Sequence, residues 1–249
     1  MSTTKPELGL QIQVAKTADE AARAFGPMCE AFGVQTQDTI FIGTCPGWDT
    51  PAGRQKHADR LGARFTKATT NLAGKPNTVF LLATVVDPAS GDRVVAGMAV
   101  WEQCSSVPGH GDFPTEDEGA DMGIEEIYPG DPVQQKYWTA IMSSMHKQRW
   151  EVAKSKATES SPAIMALDIC AVDPRFQGHG IGKKLVEWGL EEAKARGDLE
   201  AVTEASVMGR RVYLKLGFEQ EGGDIEYNVD ASVSNLPLPS NIFLRTRKP

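Results

Sequence analysis

Hydrophobic and polar positions along the chain follow two periods, one typical of strands and one typical of helices. Apolar, β-branched runs predict strands at 10–15, 78–87, 93–102, 163–172 and 199–206. Apolar positions three or four residues apart predict helices at 18–33, 54–73, 133–156, 181–196 and 208–216. Pro27 interrupts the first helix. The last patterned segments, which supply closing strands, are 218–223, 225–229 and 241–247.

The order of these elements predicts an α/β fold, of the mixed α+β kind, built around one sheet. The runs at 78–87 and 93–102 are apolar almost throughout, which indicates strands covered on both faces. Turn residues between them predict a hairpin. No repeat and no linker divides the 249 residues, so we expect one domain over 1–249.

The segment 103–135 is rich in glycine, proline and acidic residues. No lysine or arginine occurs between Arg93 and Lys136. The acidic residues in and beside this segment are Glu102, Asp112, Glu116, Asp117, Glu118, Asp121, Glu125, Glu126 and Asp131. Such a run fits a solvated, mobile loop, and it also fits a lid that attracts a cationic substrate.

Composition narrows the classes of function. A net charge of −7 and a pI near 5.2 argue against a nucleic-acid partner, because binding to phosphates needs a basic face. The four cysteines have the spacing of neither a zinc site nor a disulfide framework, so we expect no metal and a reducing, cytoplasmic setting. No apolar run reaches the length of about 18 residues that a membrane span needs, so we expect no membrane partner.

The stretch RFQGHGIGKK, at 175–184, places three glycines at the start of a predicted helix. Amides in the first turn of a helix lack partners and carry a partial positive charge, so glycines there let a diphosphate approach the backbone. Gly178, Gly180 and Gly182 suit that role, and Lys183 and Lys184 can add charge. The spacing matches neither the nucleotide P-loop nor the dinucleotide fingerprint.

Three linked segments resemble one known family. Gln177, Gly180 and Gly182 fit the pattern Q/R-x-x-G-x-G/A, which resembles the coenzyme A pyrophosphate loop of the GNAT superfamily of N-acetyltransferases. The surrounding LDICAVDPRFQGHGIGKKLV is similar to that family's central strand, turn and cofactor-binding helix, and EASVMGRRVYLKLGF is similar to its closing segment. The likeness is close over 163–219 and looser over the hairpin at 78–102.

The resemblance implies a GNAT-like domain with a central, mostly antiparallel mixed sheet, flanked by helices and splayed at the coenzyme A site. It implies acetyl-CoA as cosubstrate, with the pantetheine arm paired to the backbone of Cys170, Ala171 and Val172. Ser206 ends the next strand, where the family often has a polar contact to the cofactor or a water. The residues whose amides would hold the pyrophosphate are Gln177, Gly178, His179, Gly180, Ile181, Gly182 and Lys183.

The same resemblance suggests catalytic residues. Tyr213 occupies the position of the acid that protonates the departing thiolate, although packing of the short helix would also account for a tyrosine there. The attacking ammonium must lose a proton, which favours a carboxylate nearby. Asp168, on the central strand, and Glu204, on the next strand, are the candidate bases, and a structural hydrogen bond is the alternative for Asp168. His110 and His179 are weaker candidates.

The resulting hypothesis is an acetyl-CoA-dependent N-acetyltransferase, an acyltransferase that moves an acetyl group directly to the primary amine of a small molecule. No covalent enzyme intermediate is needed. A protein or peptide N-acetyltransferase is an alternative with the same chemistry, and a non-catalytic, coenzyme A-binding regulatory module is an alternative from another class. We expect a monomer or a homodimer.

Overall fold

A computed structural model of the chain describes residues 8–115 and 118–246. Within these residues seven strands form one sheet in the order β1-β2-β3-β4-β5-β7-β6. The strands are β1 (Gln11–Val14), β2 (Thr78–Val86), β3 (Arg93–Cys104), β4 (Ile164–Val172), β5 (Glu200–Ser206), β6 (Glu219–Asp224) and β7 (Asn241–Arg245). All neighbours pair antiparallel except β4 and β5, which are parallel. The predicted mixed, mostly antiparallel sheet is confirmed.

Helices cover both faces of this sheet. The α-helices are α1 (Ala18–Arg23), α2 (Phe25–Met28), α3 (Thr39–Thr44), α4 (Pro51–Thr66), α5 (Glu118–Asp121), α6 (Ile124–Ile127), α7 (Pro132–Ser155), α8 (Ile181–Ala195) and α9 (Arg210–Lys215). A π-helix (Cys29–Gln35) follows α2, and 3-10 turns lie at Pro174–Phe176 and Ala231–Val233. None of the helices in the described residues has the length and apolar character that a membrane span requires.

Local sequence fixes where the two long helices on one face begin. The side chain of Thr50 accepts a hydrogen bond from the amide of Gly53 at the start of α4, and Pro51 supplies the preset φ of the first turn. Asp131 caps α7 in the same way by accepting from the amide of Gln134. Both helices therefore start at polar residues that lie directly before a proline.

The two faces of the sheet bury separate hydrophobic clusters. On one face α8 packs so closely that a Cβ at Gly189 would lie 1.9 Å from Cε2 of Trp101, and the indole of Trp101 donates to the carbonyl of Leu185. On the other face lie α1, α2, α4 and α7, with Leu61 of α4 packed near Phe80 of β2. Neighbouring residues along a strand therefore lie on opposite faces of the sheet and pack against different helices.

Three predicted elements differ from the structure. The helix expected at 54–73 ends at Thr66, because the side chain of Asn71 accepts from the amides of Ala73 and Lys75 and forms a turn instead. The helix expected at 18–33 is divided into α1, α2 and the π-helix. Residues 225–229 are not a strand, since the chain leaves the sheet there and packs against α7 through Tyr227 and Val229.

The acidic segment 103–135 is folded where the structure describes it, and Glu116 and Asp117 lie outside the described residues. The carboxylate of Asp112 accepts hydrogen bonds from Thr69 at 2.6 Å and from Asn77 at 3.0 Å. Ile124 and Ile127 of α6 are buried against α7. These contacts connect the segment to the body of the protein near both of its ends.

Candidate functional site

The two parallel strands β4 and β5 separate part of the way along their length. Their pairing begins at Ile164 with Glu200 and ends at Leu167 with Thr203. Beyond that point β4 continues to Val172 and β5 to Ser206, and no pairing between the two strands is found there among the described residues. The sheet therefore opens into a fork between the ends of β4 and β5.

A β-bulge lies at the vertex of this fork. On the other edge of β4, Val100 pairs with Ile169 and Trp101 pairs with Leu167, so Asp168 is the extra residue of β4. Regular alternation would place Asp168 and Cys170 on one face. Instead the carboxylate of Asp168 contacts Arg64 of α4, whereas Cys170 packs against the cluster on the α8 face. The bulge separates the two side chains.

The glycine stretch connects β4 to α8 at the open end of the fork. Asp173 is buried, and its carboxylate accepts from the amide of Arg175 and so fixes the 3-10 turn. Gly178 and Gly180 then have φ of 78° and 79°, a conformation that favours glycine. No side chain caps α8 at Gly180, and a Cβ at Gly180 would have no atom within 4 Å.

This start of α8 can hold an anion. The helix has 15 residues, and the amides of its first turn have no partners within the helix, so their N–H groups and the helix dipole attract negative charge. Ile181 is buried beneath the loop. The ammonium groups of Lys183 and Lys184 lie 3.3 and 3.1 Å from the carboxylate of Glu187, so both predicted lysines are turned towards this residue.

The side chain of Gln177 connects the loop to two other elements. Its Nε2 donates to the carbonyl of Val172 at 3.0 Å, which means that one of the backbone groups predicted to face the pantetheine arm already has a partner. The amides of Gln177 and Gln35 also exchange hydrogen bonds of 2.8 and 3.0 Å. Gln35 ends the π-helix. The loop is therefore attached to the helical segment that follows β1.

Tyr213, from α9, reaches the open part of β4. Its side chain is buried against Phe218 and lies in the same hydrophobic cluster as Cys170. Burial raises the pKa of Tyr213 well above its usual value, and the neighbouring Cys170 acts in the same direction. Burial also raises the pKa of Cys170 to about 12. Both groups stay protonated at neutral pH, so Tyr213 can give a proton and Cys170 is a weak nucleophile.

Of the remaining predicted residues, Ser206 and His179 lie at the opening, whereas His110 lies towards the other end of β4, where Gln103 pairs with Met165. Ser206 ends β5, pairs with Asn241 of β7, and accepts at its carbonyl from the amide of Gly209. His179 is partly exposed within the glycine loop. His110 lies in a turn after β3, where its carbonyl accepts from the side chain of Gln103.

Three carboxylates line up across the sheet on the face that carries α4 and α7. They come from β3 (Glu102), β4 (Asp168) and β5 (Glu204). Arg64 lies 2.7 Å from both Glu102 and Asp168. Arg149, whose side chain is 1% exposed, contacts all three at distances of 3.4 Å to Glu102 and 3.2 Å to Asp168, with a bidentate contact to Glu204. We call these five residues the charged cluster.

Within the charged cluster the two predicted bases have different environments. Burial acts to raise the pKa of Asp168, but Arg64 and Arg149 outweigh it and hold the pKa well below its usual value. Burial raises the pKa of Glu204, and Arg149 offsets only part of this rise. Asp168 is therefore a permanent anion at neutral pH, whereas Glu204 is the stronger base of the two.

No sequence motif points to His146 of α7, which borders the charged cluster. Its Nε2 is buried with no hydrogen-bond partner and lies 3.9 Å from Oδ1 of Asp168. Burial lowers the pKa of His146 to about 3, and Arg149 acts in the same direction, so the imidazole is neutral. On the same helix, buried residues recur every four positions at Tyr137, Ile141 and Met145, and Arg149 is the next in this series. A charged residue among these inward positions is the signal in the sequence that could have identified Arg149.

Comparison with known proteins agrees with this arrangement. Residues 144–218, which contain β4, the glycine stretch, α8, β5 and α9, match the model of the acetyltransferase (GNAT) family. Comparison with curated protein sequences finds no significant match.

Solved structures share the fold over almost their whole length. Arylalkylamine N-acetyltransferase 2 from Aedes aegypti has a TM-score of 0.59 and 17% identity, with 95% of this chain and 97% of that chain covered. The Drosophila melanogaster polyamine N-acetyltransferase, which catalyses the formation of N-acetylagmatine, has a TM-score of 0.57 and 16% identity, with 94% and 98% covered. A variant of agmatine N-acetyltransferase has a TM-score of 0.55 and 14% identity, with 95% and 97% covered.

Proposed function

Because residues 144–218 match the model of the acetyltransferase (GNAT) family, we propose that the protein transfers the acetyl group of acetyl-CoA directly to the primary amine of a small molecule. The observation that carries this proposal is the position of the fork. The strands β4 and β5 part after Leu167 and Thr203, and the open end of β4 leads directly into the uncapped start of α8. An extended chain that ends in a diphosphate fits both features at once.

Each half of this site suits one part of coenzyme A. The backbone of Cys170, Ala171 and Val172 is the edge along which the pantetheine arm would pair, because β5 does not pair with it there. The amides from Gln177 to Lys183 would hold the pyrophosphate, with the positive φ of Gly180 turning the chain into the helix. Gln177 would have to release the carbonyl of Val172 if the arm pairs at that position.

Acetyl-CoA supplies an activated acyl thioester when it is bound. Tyr213 holds a proton at the open part of β4 and would deliver it to the departing sulfur. The amides at the end of β4, near Val172, would donate to the oxygen that gains charge during attack. Glu204 would accept the proton that the attacking ammonium loses, and Asp168, fixed by two arginines, would keep this side of the fork negative.

A small amine is the acceptor that the comparisons favour. Similar folds occur in enzymes named for arylalkylamines, agmatine and polyamines, and these acceptors are small cations. The net charge of −7 and the acidic segment 103–135 would attract such a substrate. We also propose that residues 1–249 form a single domain, since the sheet draws strands from both ends of the described chain.

A coenzyme A release assay over a panel of amines tests this function. The panel contains arylalkylamines, agmatine, polyamines, amino acids and lysine-containing peptides, each with acetyl-CoA and the full-length protein. We expect release that depends on a small amine, with the amine gaining one acetyl group by mass spectrometry. Release of coenzyme A with the peptides alone would indicate that the acceptor is a protein or peptide and not a small amine. Tight binding of acetyl-CoA with no release for any amine would favour a non-catalytic coenzyme A-binding module.

A further inference from the structure

We propose that Arg149 is a positioning residue that holds β4 and β5 apart and so fixes the width of the opening for the cosubstrate. The inference concerns the charged cluster at the vertex of the fork. It depends on the proposed function in one respect, because the pantetheine arm of acetyl-CoA is assumed to enter this opening. The role assigned to Arg149 in spacing the strands is a property of the protein alone.

The position of Arg149 coincides with the end of strand pairing. The last paired residues of β4 and β5 are Leu167 and Thr203, and the next residue on each strand is Asp168 and Glu204. The guanidinium of Arg149 binds both of these carboxylates. Its Nη1 lies 3.2 Å from Oδ1 of Asp168, and its Nε lies 3.1 Å from Oε1 of Glu204. A single cation therefore links the two strands at the first position where their ladder stops.

The chemistry of the cluster keeps the strands at this separation. A guanidinium is planar and presents its donors in fixed directions, so two carboxylates bound to different nitrogens cannot approach each other freely. Asp168 and Glu204 would repel if β5 moved towards β4 without the cation between them. To extend the ladder by one step, both carboxylates would have to leave Arg149, and Glu204 would then be a buried charge without this partner, whereas Asp168 would keep Arg64.

The helix that carries Arg149 is itself fixed on the sheet. One turn further along α7, Val152 and Ala153 are buried in the same cluster as Ile164 and Ala166 of β4 and Val202 of β5. These contacts lie on the paired side of the vertex. The guanidinium of Arg149 is 1% exposed, so it cannot swing into solvent. Arg149 therefore acts as a rigid spacer anchored to the closed half of the two strands.

Arg64 provides a control within the same cluster. Its Nη2 lies 2.7 Å from Glu102 of β3 and 2.7 Å from Asp168 of β4, so it connects two strands that stay paired along their length. Removing Arg64 disrupts ion pairs with Asp168 as removal of Arg149 does, but it leaves the bridge from Asp168 to Glu204 in place. The two arginines therefore separate the effect of lost charge from the effect of a lost spacer.

The first test compares Arg149→Met with Arg64→Met by calorimetric titration with acetyl-CoA. Loss of the spacer removes the fixed separation of β4 and β5, and because a misplacement of about 1 Å can cost about 100-fold in a reaction, we expect Arg149→Met to weaken the Kd by at least about tenfold. Arg64→Met is expected to change the Kd by less than about threefold, because Arg64 affects the opening only through its charge. Equal changes in the two variants would overturn the inference.

The second test is hydrogen exchange followed by mass spectrometry on the free proteins, and it does not use acetyl-CoA. In the double variant Arg149→Met with Glu204→Leu, in which Asp168 faces no second carboxylate, we expect slower exchange over residues 168–172 and 204–206, because the strands can pair further. A purely structural role predicts faster exchange in the same segments, and that result would overturn the inference. This double variant is used because Arg149→Met alone would leave Asp168 and Glu204 to repel each other across the gap, and because it removes both buried charges of the Arg149–Glu204 pair.

Failure of this inference and failure of the proposed function give different results. If the unaltered protein does not bind acetyl-CoA, the proposed function fails, and the exchange experiment alone decides the role of Arg149. If the unaltered protein binds acetyl-CoA, Arg149→Met binds equally well and exchange is unchanged in the double variant, the proposed function stands and the spacer role is wrong.

Discussion

The side chains of Tyr213 on α9 and Cys170 on the open part of β4 pack in the same hydrophobic cluster, close enough that each affects the pKa of the other. The contact places the phenol beside the stretch of β4 whose backbone is free of β5. Burial and this contact together keep Tyr213 protonated, so the residue is equipped to donate a proton.

Removing the hydroxyl of Tyr213 should slow the reaction without greatly affecting acetyl-CoA binding. For Tyr213→Phe we expect kcat to fall by about 100-fold, the lower end of what general acid catalysis contributes. Steady-state kinetics and calorimetric titration measure the two quantities separately. Because the pKa of Tyr213 is raised, its ionisation should not limit the rate on the alkaline side.

Two variants control for this result. Tyr137→Phe removes another buried hydroxyl, on α7 and away from the fork, and should leave kcat unchanged. Cys170→Ala should retain activity within a few-fold, since the transfer is direct and the thiol has a raised pKa. An inactive Cys170→Ala would point to an acyl-cysteine intermediate and contradict direct transfer.

A methyl group at Gly180 should damage the cofactor site more than it damages the fold. Gly180→Ala should lower stability by about 1–2 kcal/mol, the cost of a left-handed conformation for a residue with a Cβ. It should also weaken acetyl-CoA binding by about tenfold, or about 1.4 kcal/mol, because the Cβ projects into the space that the phosphates would fill. Differential scanning calorimetry and titration separate the two effects.

Gly91→Ala is the matched control for Gly180→Ala. Gly91 lies in the turn between β2 and β3 and has φ of 78°. A Cβ added at Gly91, like one added at Gly180, would have no atom of the described residues within 4 Å. The two variants therefore carry the same backbone strain. Equal acetyl-CoA affinity in both variants would show that the glycine loop is structural only.

The pH dependence of kcat should identify the proton acceptor. Burial raises the pKa of Glu204, so the rate should fall as pH drops through that pKa and Glu204 becomes protonated. Glu204→Gln should remove this acidic limb and lower kcat. Asp168→Asn should keep the limb in place, because Asp168 remains ionised over the whole range. If the pH–rate profile of Glu204→Gln has the same acidic limb as that of the unaltered protein, Glu204 is not the base.

Asp168 should contribute to stability in a pH-dependent way. Its pKa in the folded protein is depressed by Arg64 and Arg149 against the opposing effect of burial. A depressed pKa gives stability that is present above the unfolded value, about 3.9, and is lost as pH falls below it. Asp168→Asn should therefore be destabilised by about 3 kcal/mol at neutral pH and show a weaker loss of stability in acid. Urea unfolding at several pH values measures both.

The contiguous motif made much of the site predictable. The strand at 163–172, the glycine stretch and the helix at 181–196 follow one another in the chain, and the structure has β4, the loop and α8 within one residue of those bounds. Gly178 and Gly180 were predicted to let a diphosphate approach the backbone at the helix start, and both have a positive φ that favours glycine. Local sequence determines these features, since turns and helix starts depend on neighbouring residues.

Contacts between distant segments were not predictable. Cys170 lies on the face of α8, and not beside Asp168, because of a bulge at Asp168 that depends on pairing with β3, and no local pattern marks Asp168 as the extra residue. The charged cluster joins Arg64, Glu102, Arg149 and Glu204, which are separated by tens of residues. Only Arg149, at an inward position of α7, interrupts an apolar stripe in a way that the sequence displays.

Calorimetric titration of the unaltered protein with acetyl-CoA, followed by addition of the best amine of the panel, tests the central claim most directly. The account predicts binding of one acetyl-CoA per chain and release of free coenzyme A, with the acetyl group on the amine, only after the amine is added. Absence of any binding at millimolar acetyl-CoA would contradict it.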